Sequence, residues 1–228
     1  MNHKILIWDL PTRLFHWLLA ISVATALITG EIGGNLIDLH GSIGLLMVGL
    51  IAFRIAWGFV GSTYVRFQQF FPSPHKIKTY LAGQWHGEGH NPLGALSVFG
   101  LLLLLTAQLG TGLFANDDIT FKGPLFALVS ESMSNVLTGI HHLISSLLIT
   151  LVGLHIAAIL FYTKIKGQNL IVPMITGYKE GEPSLSAKRA RLVALLLAMT
   201  VGLGAIYGAS GDWLPQQAIP SATETPNW

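Results

Sequence analysis

The chain contains no cysteine. That absence excludes disulfides, iron–sulfur clusters and the C-x-x-C-H attachment of a covalent haem, so any redox group must be held by other ligands. Charge is scarce as well. Only 11% of the 228 residues are charged, against roughly 25% in an ordinary soluble domain. No stretch alternates polar and apolar residues at the period of a membrane barrel, and there is no internal repeat or low-complexity run. An A-x-A site is missing behind the first apolar segment, which therefore reads as a retained helix and not as a cleaved signal peptide.

What remains is apolar: 51% of the residues are hydrophobic. Five stretches, near 14–30, 40–60, 93–114, 136–161 and 192–210, approach the roughly 20 apolar residues that carry a helix across a bilayer core. Helices are then the only way to satisfy the backbone in lipid. The expected fold is an all-α membrane protein, a four-helix bundle within residues 1–180 followed by a fifth transmembrane helix and tail within 181–228. The loops 62–91 and 163–190 are the longest connections.

Orientation follows from lysine and arginine, which gather on the cytoplasmic side of short loops. Lys4 and Arg13 open the first segment, Arg66, Lys76 and Lys78 follow the second, and Lys164, Lys166, Lys179, Lys188, Arg189 and Arg191 follow the fourth. The other face carries Glu31, Asp38, Asp117, Asp118 and Glu131 against Lys122. The amino terminus is expected inside and the carboxyl terminus outside.

Histidine then stands out, because an ionisable group at membrane depth costs free energy and points to function. His141 and His155 are 14 residues apart on the fourth segment, which returns them to within about 40° of one face and separates them by about 21 Å. His142 points about 140° away from His155 by the same geometry. In the antiparallel topology His16 and His155 share the inner depth, and His40 and His141 the outer. Each pair comes from two helices, which suits a b-type haem with two axial imidazoles. Two pairs imply two haem b groups and a haem-binding bundle. Zinc is disfavoured, since two histidines without an acidic or thiol neighbour fall short of its four ligands. The competing reading is a haem-free scaffold or transporter that uses these histidines for packing or protons.

Two arginines extend the pattern. Arg54 lies 14 residues after His40, hence about 21 Å further inward, and Arg13 lies three residues before His16. Either could pair with a haem propionate or snorkel to the headgroups. Gly41, Gly44 and Gly153 leave space where a flat ring could approach, though glycine is common in any membrane packing. Trp8 and Asp9 are expected to brace the first helix at the membrane interface, and His3, His75 and His86 to lie solvated in polar loops.

Taken together, WDLPTRLFHW at 8–17, HGSIGLLMVGLIAFRIAWG at 40–58, GHNPLGAL at 89–96 and HHLISSLLITLVGLHIAA at 141–158 resemble the bacterial cytochrome b561 family, related to the cytochrome b subunits of nickel–iron hydrogenases and formate dehydrogenases. The resemblance covers about residues 5–180. It implies four helices around two b haems, with His16 and His155 on the inner haem and His40 and His141 on the outer. The family often has HE where this chain has His141 and His142; the 14-residue spacing favours His141. It also implies a quinone near the inner haem, with His90 and Asn91 as contacts, and histidine titrates in the range quinone chemistry needs. Asn91 and Pro92 equally suit a helix cap.

The expected function is electron transfer across the bacterial inner membrane between the quinone pool and a periplasmic redox partner, such as a c-type cytochrome or other redox subunit. The rival from the broader family is a superoxide oxidase delivering electrons to quinone; a basic outer funnel would favour it, and the outer loops are acidic. Expected partners are membrane lipid, quinone or quinol and the outer redox protein, with a homodimer as one option; nucleic acid is not among them. The tail from residue 211 either stays mobile or docks a basic carrier.

Overall fold

The computed structural model describes residues 3–119 and 121–215. The carboxyl-terminal tail beyond Pro215, with its docking role, lies outside the described residues. In chain order the elements are β1 His3–Leu6, α1 Leu10–Ile32, α2 Ile37–Val60, α3 Phe67–Phe70, α4 Pro74–Leu81, α5 Pro92–Gly112, α6 Glu131–Lys164, α7 Ile171–Thr176, β2 Tyr178–Gly181 and α8 Leu192–Ser210. Helices α1, α2, α5, α6 and α8 are long and apolar enough to cross a membrane. They coincide with the five stretches read from sequence, so the protein is an all-α membrane protein.

Local sequence fixes where these helices begin. Asp9 accepts a hydrogen bond from the Thr12 amide at 2.9 Å and Asn91 one from the Gly94 amide at 2.7 Å. A proline follows within the first turn of each, where its missing N–H costs nothing. Ser130 caps α6 through the Met133 amide. Gly33, at φ 63°, ends α1 in the left-handed region that glycine occupies without strain.

Packing divides the bundle into helix pairs. Helix α2 is central, with α1 and α8 against it and a narrower contact to α5, while α5 pairs with α6. Small residues let α8 approach closely: a Cβ on Gly202 would stand 2.9 Å from the Gly49 carbonyl oxygen. The buried centre is Met47, Ile51, Leu105, Ile144 and Leu148. Large apolar side chains such as Leu103, Leu154 and Val193 stay exposed on the outer surface of the bundle, the arrangement expected of a lipid-facing wall.

One end of the bundle carries structure that helical periodicity does not reveal. Strand β1 pairs antiparallel with β2, His3 opposite Gly181 and Leu6 opposite Tyr178, inside what the sequence reads as a loop. Ile5, Ile7, Trp8, Trp57, Val65 and Ala198 form a second buried cluster there. Trp8 is therefore packed inside the protein beside the start of α1. It is buried because the ladder satisfies its neighbours' backbone while the 60–66 and 183–188 segments cover the apolar side chains. His3 sits on β1 and His75 on α4, not in loops, and both are exposed, as is His86.

Candidate functional site

At the end of the bundle away from the sheet, His40 of α2 and His141 of α6 meet with ring centroids 6.1 Å apart and planes at 80°. His40 Nδ1 lies 2.9 Å from the Ala26 carbonyl of α1, and His141 Nδ1 lies 2.9 Å from the Gln108 carbonyl of α5. A carbonyl can only accept, so both imidazoles carry their proton on Nδ1 and present the Nε2 lone pair. At His141 that lone pair accepts from Gln108 Nε2 at 3.0 Å. Gln108 Oε1 is buried without a partner. Around the pair lies a cavity of about 570 Å³ lined by four helices, Gly41 and Gly44 among its residues, within the roughly 300–1,000 Å³ of ordinary ligand sites. His142 borders it too but is exposed, while His141 is half-buried.

The sheet end gathers a second set. His16 of α1 and His155 of α6 interact electrostatically. Ser97 Oγ is 3.3 Å from His155 Nδ1, whereas His16 Nδ1 is buried without a partner. His90 interacts with both and with Arg54. Its imidazole stands between Trp8, at 4.6 Å, and Phe70, at 4.5 Å. Burial first, then the charges of Arg54, His155 and His16, push its pKa down to about 3, so the ring is neutral at physiological pH. His90 Nδ1 has no partner, and the residue lines a second cavity of about 260 Å³ with Tyr64, Phe70, Trp85 and Glu88. Glu88 itself pairs with Lys179. Asn91 is the N-cap of α5, as its sequence position suggests.

Neither arginine simply snorkels. Arg54 is 4% exposed, with its guanidinium 4.8 Å from the Phe67 ring centre and Nη2 donating to the Val65 carbonyl at 3.4 Å. Its carboxylate neighbour is Asp9, which also accepts the Trp57 indole N–H at 3.2 Å. Arg54 Nη1 stays buried without a partner. Arg13 donates to the Ile175 carbonyl at 2.5 Å and thereby straps α7 to the start of α1, with Nε buried and unpartnered.

These arrangements can be tested against a haem. Two imidazoles on one iron, with metal–nitrogen bonds of about 2 Å, hold their ring centroids about 6 Å apart. The separation of His40 and His141 fits, and the carbonyl contacts at Nδ1 are the outer partners that metal-bound histidines use. Among the described residues no group of three or more histidine, cysteine, aspartate or glutamate side chains could hold a metal ion. The outer pair offers two imidazoles at that separation. Sequence reasoning missed Gln108, which contacts His141, and Gly30 and Gly112, where a side chain would run into the imidazoles of His40 and His141; a lone glycine or glutamine in an apolar helix carries no mark of its partner. Gly153, expected beside His155, has nothing within 4 Å of a Cβ built on it.

Comparison with known proteins gives the arrangement a family. The prokaryotic cytochrome b561 profile matches residues 7–177. The probable Ni/Fe-hydrogenase 1 B-type cytochrome subunit of Escherichia coli K12 is 25% identical over 137 residues, 46% of this chain and 57% of that subunit. The chain thus spans little more than half of that relative. The probable Ni/Fe-hydrogenase B-type cytochrome subunits of Azotobacter chroococcum and Rhizobium leguminosarum are 26% and 24% identical over 216 residues, covering 76% and 77% of this chain and 87% and 89% of theirs. No solved structure matches the chain. With three quarters of its length inside the family profile and its apolar helices presenting paired histidines, the chain belongs to the prokaryotic cytochrome b561 family and is a membrane-embedded b-type cytochrome.

Proposed function

We propose that this protein is a dihaem cytochrome that moves electrons across the bacterial inner membrane between the quinone pool and a redox partner on the periplasmic face. The observation that carries this reading is the 6.1 Å approach of two Nδ1-protonated imidazoles from different helices. His40 and His141 are the ligands of an outer haem b, and His16 and His155 those of an inner one. Haem b supplies one-electron redox chemistry without net atom transfer. The protein's part is to hold axial nitrogens, exclude water and set the local charge.

The sheet end is cytoplasmic, because the basic residues of the 62–91 and 163–190 segments lie there. The amino terminus is then cytoplasmic and the carboxyl terminus periplasmic. The buried unpartnered nitrogens of Arg54 and Arg13 suit the carboxylates of the inner haem. His90, neutral, with a buried Nδ1 that has no partner, lines the cavity of about 260 Å³ and suits a quinone oxygen, with Asn91 next to it in the chain. Residues 1–180 hold both haem sites, and α8 covers α2.

The relatives' names support a redox subunit as the outer partner, with a c-type cytochrome as the other form it can take. The superoxide reading gains nothing from the outer end: Glu31 and Asp117 border the cavity, and Lys122 packs over the Phe126 ring at 4.6 Å. In sealed proteoliposomes with quinol on the cytoplasmic side, the wild-type protein should reduce an impermeant one-electron acceptor on the other side, and His141→Ala should not. Equal rates in the two would refute the transmembrane route.

A further inference from the structure

The two imidazoles of the outer pair are seated by the same device, used once in each helix pair. Each Nδ1 reaches a main-chain carbonyl of the adjacent helix, Ala26 for His40 and Gln108 for His141, both at 2.9 Å. In each case the residue four positions onward is glycine, Gly30 and Gly112. In an α-helix that residue's own N–H donates to the same carbonyl, so its side chain would stand where the imidazole approaches. A Cβ on Gly30 would lie 2.9 Å from His40 Cε1 and 3.0 Å from its Nδ1. A Cβ on Gly112 would lie 2.8 Å from His141 Cε1 and 3.1 Å from its Nδ1. Neither ring has a flexible end that could move aside. By contrast Gly110, two residues away on α5, has nothing within 4 Å of such a Cβ.

We propose that Gly30 and Gly112 are positioning residues of the outer haem site, which open one carbonyl each so that His40 and His141 are fixed in tautomer and in ring plane. The proposal rests on the reading that this pair holds a haem. The carbonyl bond makes Nε2 the metal-binding atom, and the two seats hold the planes near perpendicular, at 80°. Among the described residues no glycine has the His16 or His155 ring among the nearest neighbours of its built Cβ. The device belongs to one haem and leaves the other alone.

The test compares wild type, Gly30→Ala, Gly112→Ala, Gly110→Ala and His141→Ala by haem-to-protein ratio and by the electron paramagnetic resonance of the oxidised protein. Perpendicular imidazoles give low-spin ferric iron a highly anisotropic signal, and rotation toward parallel makes it rhombic. Gly30→Ala and Gly112→Ala should each lose one haem of two or convert the anisotropic signal to a rhombic one, with the second signal unchanged and Gly110→Ala like wild type. Alanine favours a helix over glycine by up to about 1 kcal/mol, so helix loss does not explain that result. Two haems with unaltered signals in both alanine variants, or loss of both haems in both, would overturn the proposal. If His141→Ala itself keeps two haems, the ligand reading has failed and not only the role of the glycines.

Discussion

At the scale of single residues, the sheet end holds two groups whose burial has measurable consequences. His90 is neutral when folded, with a pKa of about 3 against about 6.5 in an unfolded chain. Its folded pKa is depressed, so the stability tied to the neutral ring is complete above pH 6.5 and falls as pH drops toward 3. Thermal unfolding followed by tryptophan fluorescence should therefore show a midpoint that declines below pH 6.5, less steeply in His90→Leu. Equal slopes would show that other groups dominate. Asp9 is buried at 7% exposure and serves the Thr12 amide, the Trp57 indole and Arg54 together. Asp9→Ala should cost about 1 kcal/mol for the lost cap and about 2 kcal/mol more for leaving the buried Trp57 indole N–H without an acceptor. An unfolding midpoint equal to wild type would contradict that accounting.

At the scale of elements, much was readable in advance. The five spans follow from apolar length, the N-caps from Asp9 and Asn91 before their prolines, and the depth-matched histidines from the 14-residue spacing on α6 with the antiparallel order. Depth is legible because helix rise is constant. Lateral contact is not, since the sequence does not say which side chain on a neighbouring helix meets His40; that is why Gly30, Gly112 and Gln108 went unseen. The sheet was hidden because β1 and β2 are four residues each and some 170 residues apart, too short for a periodic signal. Helix α8 is a cover in contact terms: it packs on α2 through Gly49 and Gly202. Gly202→Leu should push α8 away and lower the unfolding midpoint, while the haem-to-protein ratio stays at its wild-type value, because the four histidines lie on α1, α2 and α6. Loss of haem in that variant would show that α8 shapes the sites directly.

At the scale of the whole molecule, charge is distributed unevenly between the two sites. Arg54 is buried at the sheet end, and Glu31 and Asp117 border the far cavity. A nearby cation disfavours ferric over ferrous iron and an anion does the reverse, so the inner haem should titrate at the higher potential. Arg54→Gln should lower the inner potential, by an energy on the order of 1 kcal/mol for a charge about 10 Å away at an effective dielectric near 20, and leave the outer one in place. A spectroelectrochemical titration resolves the two. An unmoved inner potential would place Arg54 with Asp9 alone.

The central claim is two bis-histidine haems on four named residues, and a count tests it most directly. Haem per chain, from the dithionite-reduced spectrum of detergent-purified protein, should be about two in wild type and about one in each of His141→Ala and His155→Ala, as each variant loses one axial ligand of one pair. No haem in the wild type, or two in both variants, would return these histidines to packing or proton chemistry.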